Sequence, residues 1–225
     1  MRRIITMAIT LFSVLTAVAQ KPSVPRIFTP TIEVAGGPRF AVIPKEYRDD
    51  IKPHFMYQAG ILFGVEMRQK HGATFLKTGL LLDDYRFTEY EWLSANLSFL
   101  DFPVNIGYLY RINNNFSLAG SVGANFVYCY HYKDNFGLNV NGKEVIRNMI
   151  FGASVNVSTE YSFSKHFSVF ANVSANFFFN RTLYVIFTHE YDHEPPLNPM
   201  HPTHTTIDID IPSFINVGLG IRYRL

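Results

Sequence analysis

The stretch Thr188-His-Glu-Tyr-Asp-His193 contains His189-Glu190-x-x-His193. On a helix, that spacing sets two imidazoles on one face to hold zinc, with the glutamate as base for a metal-bound water. The chemistry needs the helix, and the context denies it. Arg181 to Thr188 is rich in Val, Ile, Phe and Tyr and reads as a strand extension, and Pro195-Pro196 stops any helix at once. A looser metal-capturing set would draw on His189, His193, His201 and His204, with Asp192 and Glu194 nearby, since imidazole and carboxylate suit zinc, nickel or copper. A polar surface loop is the plainer expectation, and no cofactor is expected.

A hydrolase with Ser, His and a carboxylate near a membrane rim would need nucleophile and base within hydrogen-bond reach. No such pair stands out: most serines fall on the polar parity of extended segments, and His166 lies in a short turn. The single cysteine, Cys129, excludes an intramolecular disulfide and a Cys-rich metal site. Asn156-Val-Ser158 and Asn172-Val-Ser174 have the form of glycosylation acceptors, but the same spacing follows from strand alternation, so they are expected to line an interior. The chain is not expected to be an enzyme.

The elements that position these residues are strands. Ile215-Asn-Val-Gly-Leu-Gly-Ile-Arg-Tyr-Arg-Leu225 alternates apolar with polar or Gly without error, the mark of a strand with one oily and one polar face. Eight such segments run over about 31 to 42, 54 to 69, 73 to 83, 95 to 110, 116 to 130, 147 to 163, 167 to 179 and 211 to 225. The connections alternate in length. Those over 43–53, 84–94, 131–146 and 180–210 are long, while Lys70-His-Gly72, Arg111 to Asn115 and Ser164-Lys-His166 are short. This layout predicts an all-β, eight-stranded antiparallel up-and-down transmembrane β-barrel, with the long loops outside the cell and both termini in the periplasm.

The charges agree with that layout. Arg or Lys facing lipid at the bilayer midplane costs about 2–4 kcal/mol, whereas lumen charges can be paired. Glu33, Glu66, Arg68, Lys77, Asp101, Glu160, Arg222 and Arg224, together with Arg39, all take the polar parity, beside Asn105, Asn125, Asn156, Asn172, Asn176 and Asn216. Pairing of the first and last strands would bring Glu33 to Arg222 and Arg224, and Glu66 and Glu160 are expected to meet Lys77 or Arg68. An eight-stranded interior is just wide enough for side chains, so a plugged lumen is predicted.

A soluble lipocalin-like ligand binder is the architectural alternative, and it would turn the apolar parity inward. Two aromatic bands argue against it. Tyr108, Tyr110, Phe116, Tyr161, Phe163, Phe167 and Tyr223 cluster near the short turns, and Phe55, Tyr57, Phe126, Tyr128, Tyr130, Phe177 and Phe179 near the long loops, as the two interfaces of a bilayer require.

Met-Arg-Arg, an apolar run from Ile4 to Val18 and Ala17-Val18-Ala19 have the order of a secretory signal peptide, expected to span 1–19. A short periplasmic segment over 20–30 with Pro22, Pro25 and Pro30 is expected next, and the barrel over 31–225. A mature chain of about 205 residues fits one domain of barrel type. A net charge of +2 and 17% charged residues give no basic block for nucleic acid.

Leu97-Ser-Phe-Leu-Asp-Phe-Pro-Val-Asn-Ile-Gly-Tyr-Leu-Tyr110, followed by the turn Arg-Ile-Asn-Asn-Asn115 and the Gly-containing strand Phe116 to Val127, resembles the outer-membrane protein beta-barrel domain family, the PorT-like small barrels. The resemblance covers nearly all of the mature chain. It implies an exported eight-stranded barrel and carries over no common catalytic residues. The terminal Leu225 departs from the aromatic that ends many outer-membrane barrels, which implies a weaker insertion signal.

The expected role is structural or surface-recognitional, with long extracellular loops, above all 180–210, as the binding surface. A narrow pore and a lipid-modifying outer-membrane enzyme are the alternatives. The expected partners are outer-membrane lipids, the barrel-insertion machinery and an extracellular ligand, and a monomer is expected.

Overall fold

Period-two alternation leaves each segment one way to satisfy its backbone in lipid, which is to pair on both edges until the sheet closes. The computed structural model describes residues 28–43, 51–89, 93–135, 139–141, 145–147, 149–179, 182–188 and 204–225, and these are almost entirely strand. In chain order they are β1 (Phe28–Val42), β2 (Ile51–Pro53), β3 (Met56–Gln69), β4 (Gly72–Glu89), β5 (Leu93–Arg111), β6 (Phe116–Asp134), β7 (Asn139–Asn141), β8 (Val145–Arg147), β9 (Met149–Ser162), β10 (Phe167–Phe178), β11 (Thr182–Thr188), β12 (His204–Asp210) and β13 (Ser213–Arg224).

Eight of these close an antiparallel barrel in which each strand pairs with its neighbour in sequence, and β13 returns to β1. The seam register sets Glu33 opposite Arg222 and Thr31 opposite Arg224. Three short connections share one end with the start of β1 and the end of β13, where the Leu225 amide donates to the Pro30 carbonyl at 3.0 Å. One of these turns is held locally: Asn113 Oδ1 accepts from the amides of Asn115 and Phe116.

At the other end the wall is uneven. β4, β5 and β6 run 18, 19 and 19 residues, against 12 to 15 for the other barrel strands. The long connection expected over 84–94 is therefore mostly ladder, with β4 and β5 paired from Glu89↔Leu93 downwards. Alternating polar residues such as Arg86, Thr88, Ser94 and Asn96 continue a strand as well as they make a loop. Short strands extend this wall further, β2 along β4 and β7 along β6. The expected loop 180–210 likewise begins and ends as a hairpin, β11 with β12, joined by β8 into a separate three-stranded sheet. The first strand starts at Phe28, earlier than expected, and the expected signal peptide 1–19 lies outside the described residues.

The outer face is apolar all the way round. Val34, Ile61, Leu76, Ile106, Val122, Val155, Val173 and Leu219 are all exposed on the outward parity of successive strands. A water-soluble monomer rarely exposes a contiguous apolar patch beyond roughly 300–600 Å², so this belt calls for a hydrocarbon solvent. The aromatics at both margins of the belt, including Phe167 and Tyr161 at one end and Phe177 and Tyr57 at the other, are exposed too. The faces are thus opposite to those of a lipocalin-like binder.

Candidate functional site

The lumen is filled in layers. Nearest the short turns, inward positions of β1, β3, β4, β9 and β13 bring three carboxylates and three cations together. Arg222 Nε donates to Glu33 Oε1 at 2.7 Å and its Nη1 to Glu66 Oε1 at 3.2 Å, and Nη1 also reaches Glu160. Arg224 binds Glu66 through Nε at 3.0 Å, Ser168 Oγ through Nη1 at 3.1 Å, and Glu160 through Nη2. Lys77 Nζ sits 2.8 Å from Glu33. Arg222 is 1% exposed, and such burial of a full charge is tolerable only with this degree of pairing.

Two of the expected partnerships differ from what is seen. Glu66 and Glu160 meet the two arginines of the last strand rather than Lys77 or Arg68, because an arginine's planar fork can serve two carboxylates at once. Arg68, although on inward parity, is exposed at the rim and stands outside the cluster. Aromatic rings flank the layer: the Lys77 ammonium lies 4.5 Å from the centre of the Phe75 ring, and the Arg222 guanidinium 5.5 Å from that of Phe170.

Above this layer lies a chamber of carboxamides. Asn105 accepts from Ser154 Oγ at 2.9 Å and from Asn156 Nδ2 at 3.2 Å, and Asn216 donates to Ser174 at 3.1 Å. These side chains cross the lumen because glycines lie beneath them: a Cβ at Gly123 would overlap the Asn105 carboxamide, and one at Gly218 that of Asn172. Asn125, Asn172 and Asn216 each keep an Oδ1 without a protein partner, around a cavity of about 70 Å³. At roughly 10–15 Å³ per water centre, that volume suits a small cluster of internal waters.

Asp101 belongs here rather than with the other charges. It is fully buried and accepts from Asn125 Nδ2 at 2.9 Å. Nearby Arg39 pairs with Asp83 at 2.6 Å, its guanidinium stacked 3.8 Å from the centre of the Phe214 ring. Asp83 closes an expected strand on the same parity as Lys77, so alternation alone already turns it inward.

The last layer is apolar. Met56, Tyr85, Phe87, Leu97, Phe99, Tyr132, Ile150, Phe178 and Phe214 fill the lumen at the long-connection end, and Leu183, Ile209 and Ile211 from the base of the last hairpin join them. A bulge adds Tyr132 to this plug. Between Ser98↔His131 and Phe99↔Cys129 the β5–β6 register slips by one residue, so Tyr132 and Asp134 turn inward where simple alternation from Cys129 would send them out.

Of the metal set, His189, His193 and His201 lie outside the described residues, as does the side chain of His204. Among the described residues no group of three His, Cys, Asp or Glu side chains is placed to hold a metal.

A closed, antiparallel eight-stranded barrel with an apolar outer belt and a filled polar lumen defines an outer-membrane type of β-barrel. No protein-family model and no curated protein matches the chain. Among solved structures it is similar to a major outer membrane protein from Thermus thermophilus, at 11% identity and a TM-score of 0.53, over 87% of this chain and 99% of that one. It is also similar to Neisserial surface protein A (9% identity, TM-score 0.46, 88% and 97% covered) and to Ail of Yersinia pestis, solved with the heparin analogue sucrose octasulfate (13%, 0.45, 88% and 97%). At these identities the likeness is one of fold.

Proposed function

We propose that the chain is a monomeric, non-enzymatic barrel of the bacterial outer membrane, exported by the signal peptide 1–19, placed by the barrel-insertion machinery and serving a structural or surface-recognition role. The supporting observation is an asymmetry. Among the described residues, side chains occupy the lumen from the ionic layer to the apolar plug, while the built structure beyond the belt is concentrated at the long-connection end. Function then falls to that end, which faces the cell exterior when the short turns and both ends of the chain lie in the periplasm. The 180–210 segment, rooted in the plug through Leu183 and Ile209, is the surface offered to an extracellular ligand.

The test is outer-membrane fractionation of expressed protein, with gel mobility compared before and after boiling, surface proteolysis of intact cells, and single-channel recording in planar bilayers. A heat-shifted outer-membrane band, cut within 189–203 from outside and without ion steps, is expected. Discrete conductance would replace this reading with a pore, and altered lipid A in deletion or overexpression strains would replace it with an enzyme.

A further inference from the structure

The projecting wall of β4, β5 and β6 carries a feature that the recognition role above does not use. Its outward side chains form rungs running up from the belt. Leu82, Leu100 and Tyr128 make the last apolar rung, followed by Asp84, Ser98 and His131, and then by Arg86, Asn96 and Lys133. Arg86 and Lys133 are both exposed, and Asn96 lies between them. With His54 and Ser94 they border a recess of about 410 Å³.

We propose that this recess binds the phosphate of a lipid headgroup in the leaflet that meets the long-connection end, an inference resting on the membrane reading above. Position is the first reason. Arg86 is four residues beyond Leu82, roughly 13 Å along the strand at about 3.3 Å per residue, and strand tilt brings that to about 10 Å along the membrane normal. The headgroup layer outside the hydrocarbon is roughly 5–8 Å thick, so two long cationic side chains rooted at this rung reach back into it.

Chemistry is the second. Arg86 and Lys133 are two strand spacings apart, about 10 Å between backbones, a span that their side chains can close over one phosphate. Arginine offers a two-pronged donor fork to phosphate oxygens and lysine a point charge. The Asn96 carboxamide adds a donor between them.

Two acids stand beside the pair, and Asp134 also lines the recess. Asp84, 3.7 Å from Arg86, also accepts from Ser98 at 3.1 Å, and Asp134 is buried, taking the Tyr132 hydroxyl at 3.2 Å. His54 is tied to Thr88 at 2.8 Å, which braces the edge of the recess. The exposed side chains towards the long-connection ends of β10 and β13 are instead Phe177, Phe179 and Ile215.

The experiment uses the full barrel refolded into phosphatidylcholine vesicles doped with bisphosphorylated lipid A, then extracted in mild detergent for native mass spectrometry of retained lipid. Heat-modifiability confirms folding of each variant. The wild-type barrel is expected to retain bisphosphorylated lipid A at least tenfold better than its dephosphorylated form. Arg86→Gln/Lys133→Gln should lose that preference, while the matched-charge control Lys70→Gln/Lys165→Gln in the short turns keeps it.

Millimolar inorganic phosphate should not displace the lipid; displacement would show a free-anion site and overturn the lipid assignment. Equal retention of both lipid forms, or equal loss in the control, would also overturn it while leaving the membrane reading intact. Failure of the wild-type barrel to enter vesicles of any composition would overturn both.

Discussion

Arg222 Nε donates to Glu33 Oε1 at 2.7 Å, joining the last strand to the first across 189 positions of sequence. The same guanidinium serves Glu66 and Glu160, so its removal leaves three buried carboxylates with only Arg224 and Lys77. Arg222→Ala should cost about 3–5 kcal/mol, the range for breaking one side of a buried ion pair. Glu33→Gln should cost a similar amount, about 3–5 kcal/mol, because Arg222 keeps two acceptors but buried Lys77 loses the carboxylate it pairs with. Urea titration of the refolded barrel, read by the heat-shifted gel band, measures both, and an unchanged midpoint in either variant would remove the ionic layer as a source of seam stability.

Phe214 holds the plug to the polar lumen. Its ring meets Tyr85 edge-on at 5.5 Å and Phe178 at 6.0 Å, and carries the Arg39 guanidinium on its face. Phe214→Ala is expected to cost about 3–5 kcal/mol through the cavity it leaves. Phe214→Leu should recover most of the packing but not the cation–π contact. Equilibrium unfolding of the two variants side by side separates these contributions.

Gly123 is a test of lumen width. An added Cβ there would run into the Val104 carbonyl oxygen as well as the Asn105 carboxamide, and a backbone atom cannot swing aside as a side chain does. Gly123→Ala should therefore destabilise by about 1–3 kcal/mol, the usual cost of overpacking. Gly120, outward on the same strand with nothing within 4 Å of an added Cβ, is the control, and Gly120→Ala should fold as the wild type does.

Cys129 reports on the plug directly. Its thiol is 1% exposed and points towards the His131 carbonyl, at 3.6 Å, inside the apolar layer. A maleimide should modify it far more slowly in the folded barrel than after boiling in detergent, by roughly a hundredfold or more if labelling must wait for opening of the plug. Fast labelling of the heat-shiftable form would mean that the plug opens in the native state.

Much of this architecture could be read from alternation alone. Residues such as Val34, Ile61 and Val173 announce an oily face, and Glu33, Lys77 and Arg222 a lined interior, because a pleated strand leaves them no other placement. The seam partners Glu33 and Arg222 follow from closure. What alternation could not show is where it breaks: the bulge opposite Ser98 and Phe99 reverses the facing of Tyr132, and a single extra residue has no signature in composition. The rest of the plug is hidden for a different reason: Tyr85 and Phe87 come from a strand end that reads as loop, and Leu183 and Ile209 from a stretch that reads as surface. Partner choice within the ionic layer was also out of reach, because it depends on side-chain reach across the lumen rather than on ladder register.

The ionic layer draws Glu33 and Glu66 from the start of the barrel and Arg222 and Arg224 from its final strand. Until β13 docks, a nascent sheet carries three acids against Lys77 alone in the region that will be sealed from water. An incomplete chain would have to take that imbalance into the bilayer, where each uncompensated charge is costly. Charge neutrality thus arrives together with the last hydrogen-bonded ladder, and the layer acts as a completeness check: only a barrel translated to its end and closed in the correct register can settle in the membrane without penalty.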